Sequence, residues 1–468
     1  MDDRRDVLKR RDFFRASVLG AAGSLMVVLP KSTSGENTPS ATNPTIESLY
    51  KASLPWKGKC VLDEPVLPIL GWPGPSADMI TDKIMHDMSE AGFNLSLSST
   101  SPDRIVSALD VAHSNGLRLI LQTPEYAVDD KFVLDKARKA AIRDVVMKIK
   151  DHPGLYGYHL RDEPRFFLLD TLAQVADFIR DLDSYHLCYI NHNPPVSQDG
   201  LGAGSVEVFW KECIRKCRPR FLSYDHYPIQ IGSDEEIRQL GPNAPNVFGK
   251  VLVKPDYYEA LDGCRTFSTL YGIPFWAFTC SVRHGQYPTP TEGYMRFQLN
   301  CSLAYGARGL QYFTYAYAQA MVRKDGTTTP EWEIARRINT DIHTLWKKMK
   351  DLRSIAVYHT GPAWYGARSL PRSSSAGTIN CTGDPAALGI FDDQDGMKYV
   401  YLVNKNPVSW ARMQLEANVK EGEDLVYYEL EDGQFYRRWP YRPKNLPVAL
   451  APGEAILFRL GGTGPGRF

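Results

Sequence analysis

The chain has almost no excess of either charge, since its 468 residues include 55 Lys and Arg against 54 Asp and Glu. Nucleic acids and anionic membrane surfaces are bound through a basic excess, so neither is expected as the main partner. The N-terminal apolar segment, residues 16–29, is too short to span a bilayer comfortably. We therefore expect no nucleic acid partner and no integral membrane partner; the sequence leaves the oligomeric state open.

The sequence also lacks a disulfide framework and a compact metal-binding motif. Its eight cysteines are scattered along the chain, unlike those of a small disulfide scaffold. Cys213 and Cys217 are four residues apart and resemble half of a metal site, but no matching Cys or His pair follows at zinc spacing. An H-x-H motif is missing as well. We expect plain thiols, no metal and no cofactor.

The N-terminus carries an export pattern. Arg10 and Arg11 precede two phenylalanines and the apolar, small-residue segment, an arrangement that resembles a bacterial twin-arginine signal. We predict a signal peptide over residues 1–30 and export to the periplasm or the extracellular space. Residues 31–50 are rich in Pro, Ser, Thr and Asn and predict a disordered linker.

Short apolar runs alternate with amphipathic, helix-like stretches between about residues 60 and 320. The runs that predict strands are residues 66–72, 93–99, 117–123, 155–161, 187–193, 220–227, 274–280 and 309–315. Helices are predicted between them, for example over residues 78–91 and 170–183. Eight such units predict an α/β fold, a (β/α)8 TIM barrel over residues 51–352. A doubly wound sheet is disfavoured, because no G-x-G-x-x-G follows the first strand.

The last quarter of the chain has a different pattern. Short strand-like runs are separated by turn sequences such as "DDQDG" and "EDG", and no helix-length apolar period remains. We predict a C-terminal all-β sandwich domain over residues 353–468.

Polar and aromatic residues concentrate at the C-terminal ends of the predicted barrel strands, where barrel enzymes carry their active sites. A purely structural barrel has no need of this concentration. Abundant aromatic residues also suit a carbohydrate partner, because aromatic rings stack on sugar rings. The candidate substrate-binding residues are Trp72, Gln122, His159, Arg161, Asp162, Asn191, Tyr224, Tyr227, Trp276, Arg283 and Tyr315.

Two carboxyl groups stand out among these strand ends. Cleavage of a glycosidic bond usually needs one carboxyl group as proton donor and a second as nucleophile or base. Glu163 follows a hydrophobic strand and adjoins Asp162, so burial and the neighbouring anion would raise its pKa as a donor requires. The alternative for Glu163 is a salt bridge to Arg161 or Arg165. Asp225, at the end of strand six, is the candidate second carboxylate.

Two further acids were weighed for the second role. Glu125 is a weaker candidate, and Glu292 is better explained as an acid at a helix N-terminus. With Asp225 acting as base across the barrel, a wide spacing would leave room for a water molecule and predicts inversion at the anomeric carbon.

The sequence resembles the clan A glycoside hydrolases, in particular the family 42 β-galactosidases and their relatives. Asp162-Glu163-Pro164 is similar to the Asn-Glu-Pro that ends strand four in that clan. Residues 85–99 and 108–126 resemble the early barrel, and residues 297–315 resemble its seventh helix and eighth strand. The resemblance covers roughly residues 65–320. It implies an exported glycoside hydrolase that cleaves a poly- or oligosaccharide, with Glu163 as general acid.

Two departures from the clan pattern keep other functions open. The clan asparagine is Asp162 here, and the strand-seven nucleophile is missing, because residues 274–285 contain no carboxylate. One alternative is a carbohydrate-binding barrel without catalysis. The other is a metal-dependent barrel of the sugar isomerase type, whose cation would be held by Glu125, Glu163, His192, Asp225 and His226.

Overall fold

The structure is a computed structural model that describes residues 45–54, 58–196, 201–241, 243–362, 364–371, 379–419, 423–438, 445–462 and 465–467. The predicted signal peptide lies outside the described residues, so export stays a prediction. A helix, α1 (Ile46–Ser53), begins within the predicted linker. The reason is Tyr50, which is buried and whose hydroxyl donates a 2.9 Å hydrogen bond to the carbonyl of Pro219.

Eight parallel strands form the predicted barrel, with further short strands between the sixth and seventh. The strands in chain order are β1 (Ile69–Gly71), β2 (Leu95–Ser99), β3 (Arg118–Gln122), β4 (Leu155–Asp162), β5 (Leu187–Asn191), β6 (Leu222–Tyr224), β7 (Ile229–Ile231), β8 (Val247–Phe248), β9 (Val251–Val253), β10 (Phe275–Cys280) and β11 (Gly309–Phe313). The barrel order is β5-β4-β3-β2-β1-β11-β10-β6, while β7, β9 and β8 form a separate small sheet. A parallel bridge between His192 and Tyr224 joins the two ends of the barrel sheet.

Helices lie between the barrel strands, as the sequence predicts. They are α2 (Asp82–Glu90), α3 (Ile105–Ser114), α4 (Lys136–Ile149), α5 (Leu169–Leu182), α6 (Val206–Cys217), α7 (Asp234–Leu240), α8 (Tyr257–Tyr271), α9 (Glu292–Ala304) and α10 (Pro330–Met349). Side-chain oxygens of Thr81, Asp135 and Thr291 accept backbone N–H bonds and cap α2, α4 and α9. No described helix is both long enough and apolar enough to cross a bilayer.

The barrel interior is apolar at the end where the strands begin and polar toward the end where the strands finish, which is called the mouth. An aromatic and aliphatic cluster around Tyr156, Phe221 and Trp276 fills the end where the strands begin. Above it, buried polar side chains form a network in which the Tyr189 hydroxyl donates to Gln311 Oε1. Buried polar groups are costly without partners, so this network fixes the layer on which the mouth of the barrel rests.

The C-terminal region forms the predicted β-sandwich. Its strands are β12 (Arg353–His359), β13 (Ile379–Gly383), β14 (Ala386–Asp392), β15 (Lys398–Asn404), β16 (Ala411–Ala417), β17 (Leu425–Glu429), β18 (Gln434–Arg438), β19 (Asn445–Leu450), β20 (Ala455–Leu460) and β21 (Gly466–Arg467). They form a larger sheet, β12-β14-β15-β20-β17-β18-β21, and a smaller one, β13-β16-β19. Buried side chains such as Leu402, Leu415 and Phe458 form the core of this region.

The sandwich packs directly on the barrel through helix α9. The Tyr401 hydroxyl, on β15, donates a 2.7 Å hydrogen bond to Asn300 Oδ1, and Asn300 Nδ2 donates to the carbonyl of Gly453. Both Tyr401 and Asn300 are buried. These polar contacts at a buried interface hold the sandwich in a defined position on the barrel.

Candidate active site

One asparagine side chain holds two carboxyl groups together at the mouth of the barrel. Asn191, the last residue of β5, is buried, and its Nδ2 donates to Asp162 Oδ1 at 3.0 Å and to Asp225 Oδ1 at 2.9 Å. Its Oδ1 accepts a 2.8 Å bond from the Ser223 hydroxyl. Because both acceptors share one nitrogen, the two carboxylate oxygens lie at most about 6 Å apart.

Glu163 occupies a strained backbone position beside this pair. Its φ of 44° lies in the left-handed region, which costs a residue with a side chain about 1–3 kcal/mol. The Glu163 N–H donates a 2.9 Å bond to the Asn191 carbonyl, which ties the turn after β4 to β5. The residue as a whole is exposed. The turn therefore places Glu163 directly after β4, next to Asp162 and the end of β5.

All three carboxyl groups at the mouth have raised pKa values, and burial is the largest cause for each of them. Burial and the Asp162 charge raise the pKa of Glu163. Burial raises the pKa of Asp162, while the Asn191 hydrogen bond and the Arg161 charge oppose this. Burial, followed by the charges of Glu163 and Asp162, raises the pKa of Asp225 to about 8. At neutral pH the site therefore holds a proton on Asp225.

Two buried ring nitrogens at the mouth have no hydrogen-bond partner among the described residues. Trp72 Nε1 and His159 Nε2 are both buried without a hydrogen bond. His159 Nδ1 lies 3.2 Å from Gln122 Oε1, an acceptor, so this nitrogen carries the ring proton and Nε2 is left with its lone pair. Burial and the Arg161 charge lower the pKa of His159 to about 3. The mouth thus offers one neutral acceptor and one indole donor to a ligand.

An aromatic wall lines the opposite side of the mouth. The Trp72 ring lies edge-on to Phe278, at 5.5 Å between centroids, and 6.0 Å from Phe313. Tyr227 stacks on Phe313 at 5.1 Å. Phe278 and Phe313 were not among the sequence-based candidates. The alternation of β10, which turns Trp276, Phe278 and Cys280 to one face, is the signal that identifies Phe278.

Three predicted aromatic contacts are wrong, because the structure buries these residues away from the mouth. Trp276 is near the start of β10 and is packed 4.5 Å from Phe221 in the lower cluster. Tyr224 and Tyr315 are buried in the hydrophobic core that also includes residues of the surrounding helices. The fully hidden rings of all three leave no face for a sugar.

The two predicted arginines differ in their surroundings. Arg161 donates to the Val128 carbonyl at 3.1 Å and to Asp130 at 3.2 Å. Its guanidinium therefore binds the loop after β3 and is not paired with Glu163. The salt bridge that was the alternative explanation of Glu163 is therefore not formed by Arg161. Arg283 is exposed in the segment after β10.

The ring of ligands proposed for a cation does not form. His192 uses Nδ1 on the Ser223 carbonyl at 3.0 Å and Nε2 on the Cys213 thiol at 2.9 Å. His226 Nε2 is paired with Asp256 at 3.0 Å. Among the described residues, no group of three or more His, Cys, Asp or Glu side chains has an arrangement suited to a metal ion. The isomerase alternative thus loses both of its imidazole ligands.

The fold is similar to solved glycoside hydrolase structures at low identity. A provisionally named α-galactosidase from Bacteroides fragilis aligns with a TM-score of 0.51 and 14% identity, over 87% of this chain and 81% of that one. A glycoside hydrolase family 5 protein from Bacteroides vulgatus gives 0.50 and 11%, over 84% and 89%. The β-galactosidase of the psychrophilic Marinomonas ef1 gives 0.42 and 10%, over 61% of this chain and 62% of that enzyme.

The likenesses to the two Bacteroides proteins support the barrel with its β domain, and the resemblance to family 42 in particular stays a prediction. No protein-family model matches the chain, and no curated protein sequence matches it. The argument about chemistry therefore rests on the site itself.

Proposed function

We propose that this protein is a glycoside hydrolase in which Asp225 and Glu163 are the two catalytic carboxyl groups. The observation that carries the proposal is the set of three carboxyl groups at the mouth, all with raised pKa values, in which the pKa of Asp225 is raised to about 8. A protonated and an ionised carboxyl group facing one cup are what glycosidic bond cleavage requires. A barrel that only binds sugar has no need to hold a proton on a strand-end aspartate.

The roles proposed here reverse the sequence-based assignment. The sequence predicts Glu163 as donor and Asp225 as base. Burial, followed by the charge of Glu163, raises the pKa of Asp225 to about 8, so Asp225 carries a proton at neutral pH. We assign the donor role to Asp225, and Glu163 attacks the anomeric carbon while Asp225 protonates the leaving oxygen. Asp225 then deprotonates the water that releases the sugar from Glu163.

The close grouping of the carboxyl groups favours retention over the inversion that the sequence predicts. The Asp162 and Asp225 oxygens lie within about 6 Å of each other. The Glu163 charge also raises the pKa of Asp225, so the proposed nucleophile and donor influence each other across the same site. Retaining enzymes place their two carboxyl groups about 5–5.5 Å apart, and inverting enzymes separate them by about 6.5–9.5 Å.

The surroundings of the carboxyl groups favour an uncharged sugar. Neutral His159 accepts a hydroxyl proton and Trp72 donates to a hydroxyl or ring oxygen, so both are satisfied by sugar hydroxyls. Phe313 is only partly buried and offers a ring face to the C–H side of a pyranose. Three carboxyl groups in one cup repel a uronate.

The test is hydrolysis of a panel of neutral oligosaccharides and aryl glycosides, with the first-formed anomer followed by ¹H NMR. We expect cleavage of at least one neutral glycoside, and a product that has the anomeric configuration of the substrate. An inverted first product would contradict the assignment of Glu163 as nucleophile. Binding of sugars without any cleavage would favour the non-catalytic alternative.

His159→Phe is expected to raise KM by roughly tenfold to a hundredfold with little change in kcat, because a buried acceptor for one substrate hydroxyl is lost. The measurement is steady-state kinetics on the substrate found in the panel. Trp276→Phe is the control, since Trp276 is buried in the lower cluster and should leave KM unchanged. Equal effects of the two substitutions would show that His159 acts only through packing.

A further inference from the structure

A buried lysine lies among aromatic rings where the sandwich meets the barrel. Lys405, just after β15, is 2% exposed. Its Nζ lies 5.0 Å from the centre of the Trp364 ring and 5.4 Å from that of Tyr258, the second residue of α8. His359, at the end of β12, packs on the same Tyr258 ring at 4.5 Å. We call Lys405, Tyr258, His359 and Trp364 the lysine box.

The lysine box combines a buried lysine with two buried ring nitrogens that have no hydrogen-bond partner among the described residues. Within the described part of the chain, Lys405 Nζ makes no hydrogen bond and no ion pair. Trp364 Nε1 and His359 Nδ1 are buried without partners. Tyr305 lies 2.9 Å from His359 Nε2, and when its hydroxyl donates there, His359 Nδ1 carries the ring proton as a third donor.

No negative charge from the described chain compensates these donors. The nearest thiol, Cys301, is neutral, because burial raises its pKa to about 12. Asp262, the acid whose charge acts on neighbouring Tyr305, is paired with Arg368 at 3.0 Å. Burial and the Lys405 charge lower the pKa of His359, so this ring is neutral too. The faces of Trp364 and Tyr258 attract the Lys405 ammonium but provide no hydrogen-bond acceptor. A buried ammonium without an anion and buried donors without acceptors both destabilise the fold.

We propose that the lysine box binds a small monovalent inorganic anion of the size of chloride. The anion would accept from Lys405 Nζ and from the N–H groups of Trp364 and His359, with the aromatic rings excluding water around it. The site joins strands of the sandwich to helix α8 of the barrel, so its occupation stabilises the contact between them. The proposal is independent of the hydrolase assignment, because it involves none of the carboxyl groups at the mouth.

The titration of Lys405 sets the pH range in which the anion binds. Burial lowers the pKa of Lys405 to about 8. The ammonium form is therefore present at pH 7 and is lost as the pH rises through about 8. Because the other two donors are neutral, anion binding should weaken above this pH.

The test compares thermal unfolding of the full chain in sodium chloride and in sodium gluconate at equal ionic strength and pH 7. We expect Tm to rise with chloride concentration until the site is saturated, as for any ligand that binds only the folded state. The rise should be absent in Lys405→Met. Lys398→Met is the matched control, since Lys398 begins β15, the strand that directly precedes Lys405, is about half exposed, and should leave the chloride effect unchanged. Equal Tm in the two salts, or a chloride effect that persists in Lys405→Met, would overturn the proposal.

A milder variant protects the test against misfolding. Trp364→Phe keeps an aromatic face but removes the N–H, and we expect it to weaken chloride binding by about tenfold, as the loss of one buried hydrogen bond implies. Line broadening of ³⁵Cl in NMR measures the same affinity directly. Unchanged broadening in Trp364→Phe would place the anion elsewhere and overturn the site.

Discussion

Asp225→Asn is expected to lower kcat/KM by roughly 10²–10⁴-fold on substrates with poor leaving groups, because it removes the proton that the departing oxygen must receive. Aryl glycosides with acidic phenols need little protonation, so their first step should be much less affected. The measurement is a comparison of kcat/KM across leaving groups of different pKa. A uniform loss across the whole series would show that Asp225 has another role.

The pH profile gives the same assignment a second readout. The pKa of Asp225 is raised to about 8, so the donor is protonated below that pH and lost above it. We expect the wild-type kcat/KM to fall as the pH rises through about 8. Asp225→Asn cannot titrate at this position, so its residual activity should lack this alkaline limb.

The thermal stability of Asp225→Asn shows whether a loss of activity comes from the missing proton or from a damaged fold. A carboxyl group whose pKa is higher in the folded than in the unfolded chain stabilises the fold at low pH. That stability is lost progressively as the pH rises from about 4 toward 8. Asparagine has no such dependence, and Asp225→Asn should unfold at pH 8 at a temperature no lower than the wild type does. A sharply lower Tm would mean that the kinetic loss reflects structure.

Glu163→Gln is expected to reduce turnover by roughly 10⁴-fold or more, because the amide keeps the shape of the side chain but cannot attack the anomeric carbon. Asp162→Asn is the matched control, since it alters the adjacent carboxyl group in the same way. Asp162 accepts from Asn191 and is proposed to contact sugar hydroxyls, so its loss should act mainly on KM. A larger fall of kcat in Asp162→Asn than in Glu163→Gln would transfer the nucleophile role to Asp162.

Azide distinguishes the two roles that Glu163 has been given. In Glu163→Ala, azide can enter the space of the missing carboxylate, attack the anomeric carbon and displace a leaving group that Asp225 protonates. We expect azide to restore turnover and to give a glycosyl azide of inverted configuration. A glycosyl azide of retained configuration would instead make Glu163 the proton donor, as the sequence alone suggested.

The barrel could be predicted because each of its strands is a short apolar run followed by a break. Seven of the eight predicted runs contain the observed strands, the fourth ends one residue before β4 does, and the polar residues do follow β5 and β6 and end β4. The sequence could not predict which side of each strand a side chain lies on. β4 shifts register between His159 and Arg161, which changes the alternation of faces and places Arg161 on the loop after β3.

The sequence also could not predict that Asn191 connects two of the carboxyl groups. The sequence marks it only as one polar residue at a strand end, because its importance depends on two aspartates that lie 29 and 34 residues away. Trp276 shows the reverse error. A tryptophan in a strand of a sugar-binding barrel suggests a platform, but its position early in β10 places it in the lower cluster.

The bridge between His192 and Tyr224 has a consequence for how the acids keep their spacing. Within the described chain, the backbone ladder between the ends of β5 and β6 consists of this one bridge, whereas β4 and β5 share a longer ladder. Glu163 and Asp162 lie on the β5 side of this bridge, and Asp225 lies on the β6 side. The amide of Asn191 therefore connects the two strand ends where the barrel has its shortest backbone ladder. A small relative movement of β5 and β6 would change the distance between the proton donor and the nucleophile and leave the other strands in place.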